Sequence, residues 1–381
     1  MLKKIGYGLW LVLALVVVIA VVINAYLGKD YFISSVSRVI PTPLPELSEE
    51  GKRLHQSLWV VDLHNDLLLA ERDATEWGTA GHSDIPRLQA GNMGLQVLSA
   101  VIKVPFGLNP EHNDDKSDMV LPLAIWQHWP VRTWFDLTER ALYQAEKLKK
   151  IAEIDAVHLI TTKAQLESRK PLGVILAIEG LHALEGDEKN YQRLYDAGYR
   201  MMGLAHFFDN KVSGSAHGVN KGPLTDFGRQ IVKRMQDDGV VIDLAHTSPA
   251  AIKDVLAMVS GPVVISHTGV KGTCPSMRNL SDEQITSIAA GGGVIGIGFW
   301  TTALCDITPD GIVKAIRYVA DLVGVEYVAL GTDYDGATKV GFSADKLALI
   351  TDALLRAGFS EHEIRLIMGE NTQRVLGQIL H

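Results

Sequence analysis

Eight short apolar runs, spread between residues 58 and 333, constrain the fold of this chain more than any other feature. They are LWVVDLH (58–64), LQVLSAV (95–101), GVILAIE (173–179), YRMMGLAH (199–206), VVIDLAH (240–246), PVVISH (262–267), GVIGIGF (293–299) and YVALGTD (327–333). Nearly continuous apolar character over so few residues is typical of parallel strands that are covered on both faces. Longer amphipathic stretches such as residues 133–154 separate the runs and are predicted to be helices.

This alternation predicts an α/β fold, a (β/α)8 TIM barrel with insertions. A doubly wound open sheet would alternate in the same way, but it more often has a glycine-rich phosphate loop after its first strand, and none follows residues 58–64. The longest insertion, residues 104–132, is long enough to suggest a functional or mobile loop. We interpret its His112, Asp114 and Asp115 as solvated residues rather than as a metal site.

Six of the eight runs end in side chains that can bind a metal ion or move a proton. These side chains are His64 with Asp66, Glu179, His206, His246, His267 and Asp333. One such residue alone would often be structural, for example as the cap of the following helix. In a barrel, however, the carboxyl ends of all strands meet at one rim, which is where active sites are built. Imidazole and carboxylate groups without thiolates favour zinc or a similar divalent ion.

The number of candidate ligands is sufficient for two ions. We predict that His64, Asp66 and Glu179 hold one Zn²⁺, and that Glu179, His246 and His267 hold the other, with Glu179 shared between them. Two bound cations would lower the pKa of a shared water towards neutrality. The sequence therefore predicts a hydrolase that uses a metal-bridging hydroxide.

The N-terminal segment predicts a membrane anchor. Residues 5–28 are 24 residues without a formal charge, which as a helix could cross a bilayer. A cleaved signal peptide is the alternative, although its apolar core would usually be shorter. Lys3 and Lys4 precede the span, so we expect a single-pass membrane protein with a cytoplasmic N-terminus and a catalytic domain on the periplasmic or extracellular side. The expected organisation is an anchor at residues 1–28, a proline-containing linker at 29–47 and the hydrolase domain at 48–381.

Charge and cysteine content exclude several other classes. Residues 46–381 carry 32 basic and 43 acidic side chains, a net charge of −11, so nucleic acid is not an expected partner. The two cysteines, Cys274 and Cys305, are too few for a disulfide scaffold or a thiolate zinc site. They could form one disulfide in an oxidising compartment, and the sequence leaves this open.

The set of candidate metal ligands at the strand ends resembles that of the membrane dipeptidase (renal dipeptidase-like) family of the metal-dependent amidohydrolase superfamily. The resemblance extends from about Trp59 to Gly377 and rests on the order and spacing of several short motifs. They are HND (64–66), DIPRLQAGNMGLQ (84–96), AIEG (177–180), LAH (204–206) with Asn210 following, PLTDFG (223–228), IDLAH (242–246), ISH (265–267), RN (278–279) and GTDYDG (331–336).

The resemblance implies a (β/α)8 barrel with a binuclear zinc centre that uses the same five ligands. It also implies three further roles: His206 binds the substrate, Arg278 binds a substrate carboxylate, and Asp333 both contacts the substrate and handles a proton. Asp335 is the alternative candidate for the proton-handling role. Asp333 is preferred because it directly follows the apolar run and so lies at the strand end. Where the family often has an aromatic-rich segment after the second strand, this chain reads QVLSAV from Gln96, and Phe106, Trp126 or Trp129 could refill that space.

The expected activity is zinc-dependent hydrolysis of dipeptides that have a free C-terminal carboxylate. The alternatives are a binuclear hydrolase of another small amide or a lactone, and a catalytically idle barrel displayed on the membrane as a binding module. A homodimer is also left open.

Overall fold

Strands and helices alternate through the part of the chain that the computed structural model describes, residues 30–170 and 172–381. The strands are β1 (Arg38–Val39), β2 (Val60–Asn65), β3 (Met93–Val101), β4 (His158–Leu159), β5 (Gly173–Glu179), β6 (Tyr199–Gly203), β7 (Val241–Asp243), β8 (Val264–Thr268), β9 (Val294–Ile297), β10 (Val328–Leu330) and β11 (Lys339–Val340). The α-helices are α1 (Tyr31–Val36), α2 (Glu49–Gln56), α3 (Ile85–Ala90), α4 (Val120–Trp126), α5 (Leu137–Ile151), α6 (Lys163–Glu167), α7 (Glu188–Ala197), α8 (Asp226–Asp237), α9 (Pro249–Met258), α10 (Asp282–Ala290), α11 (Thr301–Leu304), α12 (Pro309–Val323), α13 (Ala348–Arg356), α14 (Glu361–Arg365) and α15 (Asn371–Ile379).

Eight strands close into a parallel barrel. Neighbours follow the order β2, β3, β5, β6, β7, β8, β9 and β10, and β10 pairs with β2 through Leu330 and Asp62. Each of the eight predicted runs overlaps one barrel strand, so the (β/α)8 prediction is confirmed. The open sheet is excluded because the strands form a closed ring.

Alternate residues along the barrel strands belong to two different apolar cores. The inner core takes side chains from all eight barrel strands, among them Val61 and Val97, and from the last helix, α15. The outer core takes their neighbours, such as Val60 and Leu98, together with the apolar faces of the surrounding helices. Both faces of each strand are therefore buried, which accounts for the nearly continuous apolar runs in the sequence.

The insertion at residues 104–132 builds a small core of its own. Trp129 is buried there with Leu123 and Val101, so it does not refill the substrate pocket. Phe106 is exposed, and Trp126 is half-buried against the same small core. The loop carboxylate of Asp114 pairs with Lys116 at 3.0 Å, in keeping with a solvated loop.

The N-terminal residues divide into two parts. The predicted anchor, residues 1–28, lies outside the described residues. Among the described helices, none is both long and apolar enough to cross a bilayer. Within the predicted linker, Ile33 of α1 is buried and β1 pairs in parallel with β11.

Cys274 and Cys305 are joined by a disulfide, which settles the pairing that the sequence left open. It links the loops that follow β8 and β9.

Candidate metal centre

The predicted site residues lie together at the carboxyl ends of the barrel strands. His64 and Glu179 are in the last two positions of β2 and β5, and His267 is in β8. Four others lie just beyond strand ends: Asp66 directly follows β2, and His206, His246 and Asp333 lie three residues after β6, β7 and β10 respectively. All seven side chains are buried.

The first predicted ligand group is compact. His64 Nε2 lies 3.4 Å from Asp66 Oδ1 and 3.7 Å from Glu179 Oε1. One ligand atom from each of these three residues falls within 4.8 Å of the others, a spacing that suits a shared ion.

The second predicted group meets at the same Glu179 oxygen. Glu179 Oε1 lies 2.9 Å from His246 Nε2 and 3.3 Å from His267 Nε2, and these two nitrogens are 2.9 Å apart. The other oxygen of Glu179, Oε2, lies 3.2 Å from His206 Nε2. His206 therefore also lies within ligand distance, as a neighbour of both Glu179 and His246.

Burial and neighbouring charges shift the pKa values of these groups strongly, and not all in the same direction. Burial lowers the pKa values of His206, His246 and His267 well below 6.5, so the rings are neutral and offer lone pairs. Burial also raises the pKa of Glu179 well above 4.5, and the carboxylates of Asp66 and Asp333 add to this shift, while His64 and Arg278 oppose it. For His64, burial opposes the charged form, but nearby carboxylates, Glu179 first among them, outweigh it and raise the pKa to about 10.

Several nitrogen and oxygen atoms of the cluster that could ligate a metal ion lack hydrogen-bond partners. Both nitrogens of His64, together with Asp66 Oδ1, are buried and unpaired. Buried polar atoms are rarely left in that state unless an ion or water completes their contacts. Since His64 Nε2 also lies 3.7 Å from Glu179 Oε1, the residues present fit a bound divalent cation.

A hydrogen-bonded chain supports His267. Ser266 Oγ contacts His267 Nδ1 at 2.8 Å and donates to Asp243 Oδ2 at 2.6 Å, while Asp243 Oδ1 accepts from the Ser266 amide at 2.9 Å. Such partners orient a ligating imidazole. Asp62 differs, because its carboxylate accepts hydrogen bonds from Thr332 and Gln96 and fixes the loop after β10.

Asp333 faces the cluster, whereas its rival Asp335 does not. Asp333 Oδ1 lies 3.9 Å from His64 Nε2, and burial raises the pKa of the Asp333 carboxyl well above 3.8. Asp335 is fully buried and accepts hydrogen bonds from Arg72 at 2.6 Å and Ser83 at 2.7 Å. Asp335 therefore holds loops together, which leaves Asp333 as the carboxylate available to chemistry.

Arg278 lies at the edge of the same site. Its Nη2 donates to the carbonyl oxygen of His267 at 2.6 Å, and its guanidinium lies 5.9 Å from the ring centre of Trp300. Its Nε is buried without a hydrogen-bond partner. The guanidinium is thus held beside the cluster with donor capacity to spare.

Sequence reasoning missed three aromatic neighbours of the cluster. The Phe207 ring lies 4.0 Å from that of His206, and the His217 ring lies 5.1 Å from that of His246. The centre of the Trp300 ring lies 5.7 Å from that of His267, with the two ring planes inclined at 53°. Phe207 could have been found from the sequence, because it directly follows the predicted His206. His217 could not, because it lies in a loop and follows no strand end.

The barrel and its buried cluster of histidines and carboxylates define a protein of the metallohydrolase class. A model of the membrane dipeptidase family (peptidase family M19) matches residues 48–381, and the chain belongs to this family. The resemblance found in the motifs is thereby confirmed.

Two fungal relatives are similar over most of their length. Dipeptidase tcpJ of Claviceps purpurea (strain 20.1) is 27% identical over 362 residues, which cover 91% of this chain and 81% of that protein. Dipeptidase verJ of Clonostachys rogersoniana is 28% identical over 310 residues, covering 78% and 76% respectively.

Two solved structures share the fold. The probable dipeptidase PvdM of Pseudomonas aeruginosa superposes with a TM-score of 0.74 at 18% identity, covering 87% of this chain and 98% of that one. A Rhodobacter sphaeroides metallo peptidase, liganded with a phosphinate mimic of the dipeptide L-Ala-D-Ala, gives a TM-score of 0.68 at 22% identity, covering 84% and 99%.

Proposed function

We propose that this protein is a zinc-dependent dipeptidase that cleaves dipeptides with a free C-terminal carboxylate. The observation that carries the proposal is the meeting of His64, His246 and His267 around one oxygen of Glu179, with Arg278 at the edge. When bound, two zinc ions would lower the pKa of a water and supply hydroxide at neutral pH.

Arg278 is the proposed group for the substrate carboxylate. A guanidinium presents a planar fork of donors that matches a carboxylate in two parallel hydrogen bonds. Because one side of the fork is already fixed to the His267 carbonyl, the guanidinium is held in place before substrate arrives. Because Arg278 lies beside His267, recognition of a chain end there would restrict the enzyme to very short peptides.

His206 and Asp333 are the proposed groups at the scissile bond. The neutral His206 ring can donate a hydrogen bond to the oxygen of the tetrahedral intermediate. Asp333 can accept the proton released when water attacks and return it to the leaving amine. A buried carboxyl with a raised pKa is suited to both halves of that transfer.

The Rhodobacter relative with its L-Ala-D-Ala mimic supports a dipeptide substrate and suggests tolerance of a D-residue at the C-terminal position. We also propose that the catalytic domain is held at a membrane on the non-cytoplasmic side. Lys3 and Lys4 before the apolar span support this orientation, and the Cys274–Cys305 disulfide is in keeping with an oxidising compartment.

Three substrates test the proposal: an unblocked dipeptide, its C-terminal amide and its N-acetyl derivative, each assayed with zinc-loaded protein. We expect free amino acids from the unblocked dipeptide, and a loss of about 10- to 100-fold in kcat/KM on amidation, since a charged hydrogen-bond pair with Arg278 is removed. Equal turnover of dipeptide and amide would favour hydrolysis of another small amide. Absence of hydrolysis of all three by metal-loaded protein would refute the dipeptidase assignment.

A further inference from the structure

Residues 37–40 lie outside the match to the family model, which begins at residue 48, yet they contact the loop that follows Asp333. The amide of Arg38 donates to the Thr338 carbonyl at 3.0 Å, and the amide of Ile40 donates to the Val340 carbonyl at 2.8 Å. Ser37 Oγ accepts from the Ala337 amide at 3.2 Å, and Ser37 is only 2% exposed. We call Ser37, Arg38 and Ile40 the N-terminal brace.

The loop that the brace contacts has an unusual backbone. Asp333, Asp335 and Ala337 all have positive φ, at 58°, 62° and 56° respectively. Residues with a Cβ seldom adopt this region, so a loop with three of them within five positions needs support from its surroundings.

Two sets of contacts supply that support. On the barrel side, Arg72 and Ser83 hold the carboxylate of Asp335. On the outer side, the brace supports the loop, and the Arg38 amide donates its hydrogen bond to the Thr338 carbonyl. Thr338 Oγ1 in turn donates to the Asp333 carbonyl at 2.8 Å. The path from Arg38 to Asp333 thus passes through a single residue.

We infer that the N-terminal brace is a positioning element for Asp333, so that the segment following the predicted membrane anchor helps to complete the active site. This inference rests on the proposed function, because it takes Asp333 as the proton-handling carboxylate. If the brace is loosened, Asp333 should lose its alignment while Arg278 and the metal ligands keep theirs. The expected signature is a fall in kcat with little change in KM or metal content.

Two matched pairs of variants in the full chain test the inference. Ser37→Ala removes the acceptor for Ala337, whereas Ser35→Ala removes a similar hydroxyl that contacts only the carbonyl of Phe32 in α1. Arg38→Pro removes a donor to the loop. Val39→Pro puts the same ring one residue further on, where the amide points away from β11, because successive strand amides point to opposite sides.

We expect kcat to fall about 3- to 10-fold in Ser37→Ala and about 10-fold or more in Arg38→Pro, since small displacements of a reacting group are costly. KM and bound zinc should stay within about twofold of the unmodified chain. Ser35→Ala and Val39→Pro should behave like the unmodified chain, and Ser37→Thr, which keeps the hydroxyl, should restore most of the kcat. Hydrogen exchange measured by mass spectrometry should accelerate over residues 333–340 in the two brace variants alone.

Hydrogen exchange separates failure of this inference from failure of the proposed function, because it needs no substrate. An unmodified chain that hydrolyses no dipeptide would refute the function, while faster exchange at 333–340 in Ser37→Ala would still support the brace. Equal kcat and equal exchange in Ser37→Ala and Ser35→Ala would overturn the inference. Should Arg38→Pro fail to fold, Ser37→Ala with its threonine rescue decides the matter.

Discussion

Gly336 offers the sharpest single perturbation of the site. A Cβ added at this position would overlap Oδ1 of Asp333 and would lie 3.0 Å from Oδ2 of Asp66. The φ angle of Gly336 is outside the positive range, so the backbone itself can accept alanine. The Gly336→Ala substitution therefore acts on the two carboxylates and not on the chain conformation.

The size of the effect follows from the overlap. To restore an ordinary contact, the Asp333 carboxylate must move by about 1 Å. Displacement of a reacting group by about 1 Å can cost about 100-fold in rate, which corresponds to about 2.7 kcal/mol in the activation free energy. We expect kcat/KM to fall by about that factor, and zinc affinity to fall less, because Asp66 is only crowded.

The assay is kcat and KM for an unblocked dipeptide, together with zinc content after gel filtration. Gly261→Ala is the matched control, since nothing lies within 4 Å of a Cβ there and its φ is also outside the positive range. Activity of Gly336→Ala within about threefold of the Gly261→Ala protein would refute the role assigned to Asp333.

Three other substitutions test separate parts of the account. Ser266→Ala should weaken zinc binding by about 10- to 100-fold, because His267 loses the partner that orients its ring, and equilibrium dialysis measures this. Arg278→Lys should raise KM for dipeptides by about tenfold through loss of the planar fork, with less effect on the C-terminal amide. Burial lowers the pKa of His182 to about 3, so its ring stays neutral in the folded protein. The buried neutral ring contributes fully to stability above pH 6.5, and this contribution declines as the pH falls towards 3. Replacing it in His182→Phe should flatten the pH dependence of the unfolding free energy between pH 6 and 4 by up to about 1.4 kcal/mol per pH unit, as chemical denaturation can measure.

For each of these three substitutions, one result would contradict the prediction. Unchanged zinc affinity in Ser266→Ala would mean that the hydrogen bond to His267 does not orient a ligand. Equal KM changes for dipeptide and amide in Arg278→Lys would remove the carboxylate role. An unaltered pH slope in His182→Phe would show that His182 is not buried as a neutral ring.

The barrel and most of its rim could be predicted from sequence because both depend on local pattern. A strand covered on both faces must be apolar along its length, so a polar residue marks the strand end, and strand ends in a barrel converge. This logic brings His64, Glu179, His246 and His267 together without knowledge of any contact. Arg278 lies in a loop, and only the family resemblance indicated its role.

Features that depend on distant contacts could not be predicted in this way. The strand β1 is two residues long and pairs with residues about 300 positions away, so no periodicity reveals it. The support of His267 by Ser266 and Asp243 depends on side-chain geometry between two strands. Trp129 was considered for the substrate pocket, but burial with Leu123 stabilises the insertion instead.

The claim on which all of this depends is that Glu179 bridges two ions. Elemental analysis of zinc-loaded protein after gel filtration tests it most directly, with Glu179→Gln and His246→Ala measured beside the unmodified chain. The account predicts two zinc ions per chain, one in His246→Ala and fewer than one in Glu179→Gln. An unmodified chain that retains no zinc, or a Glu179→Gln protein that retains two ions, would contradict it.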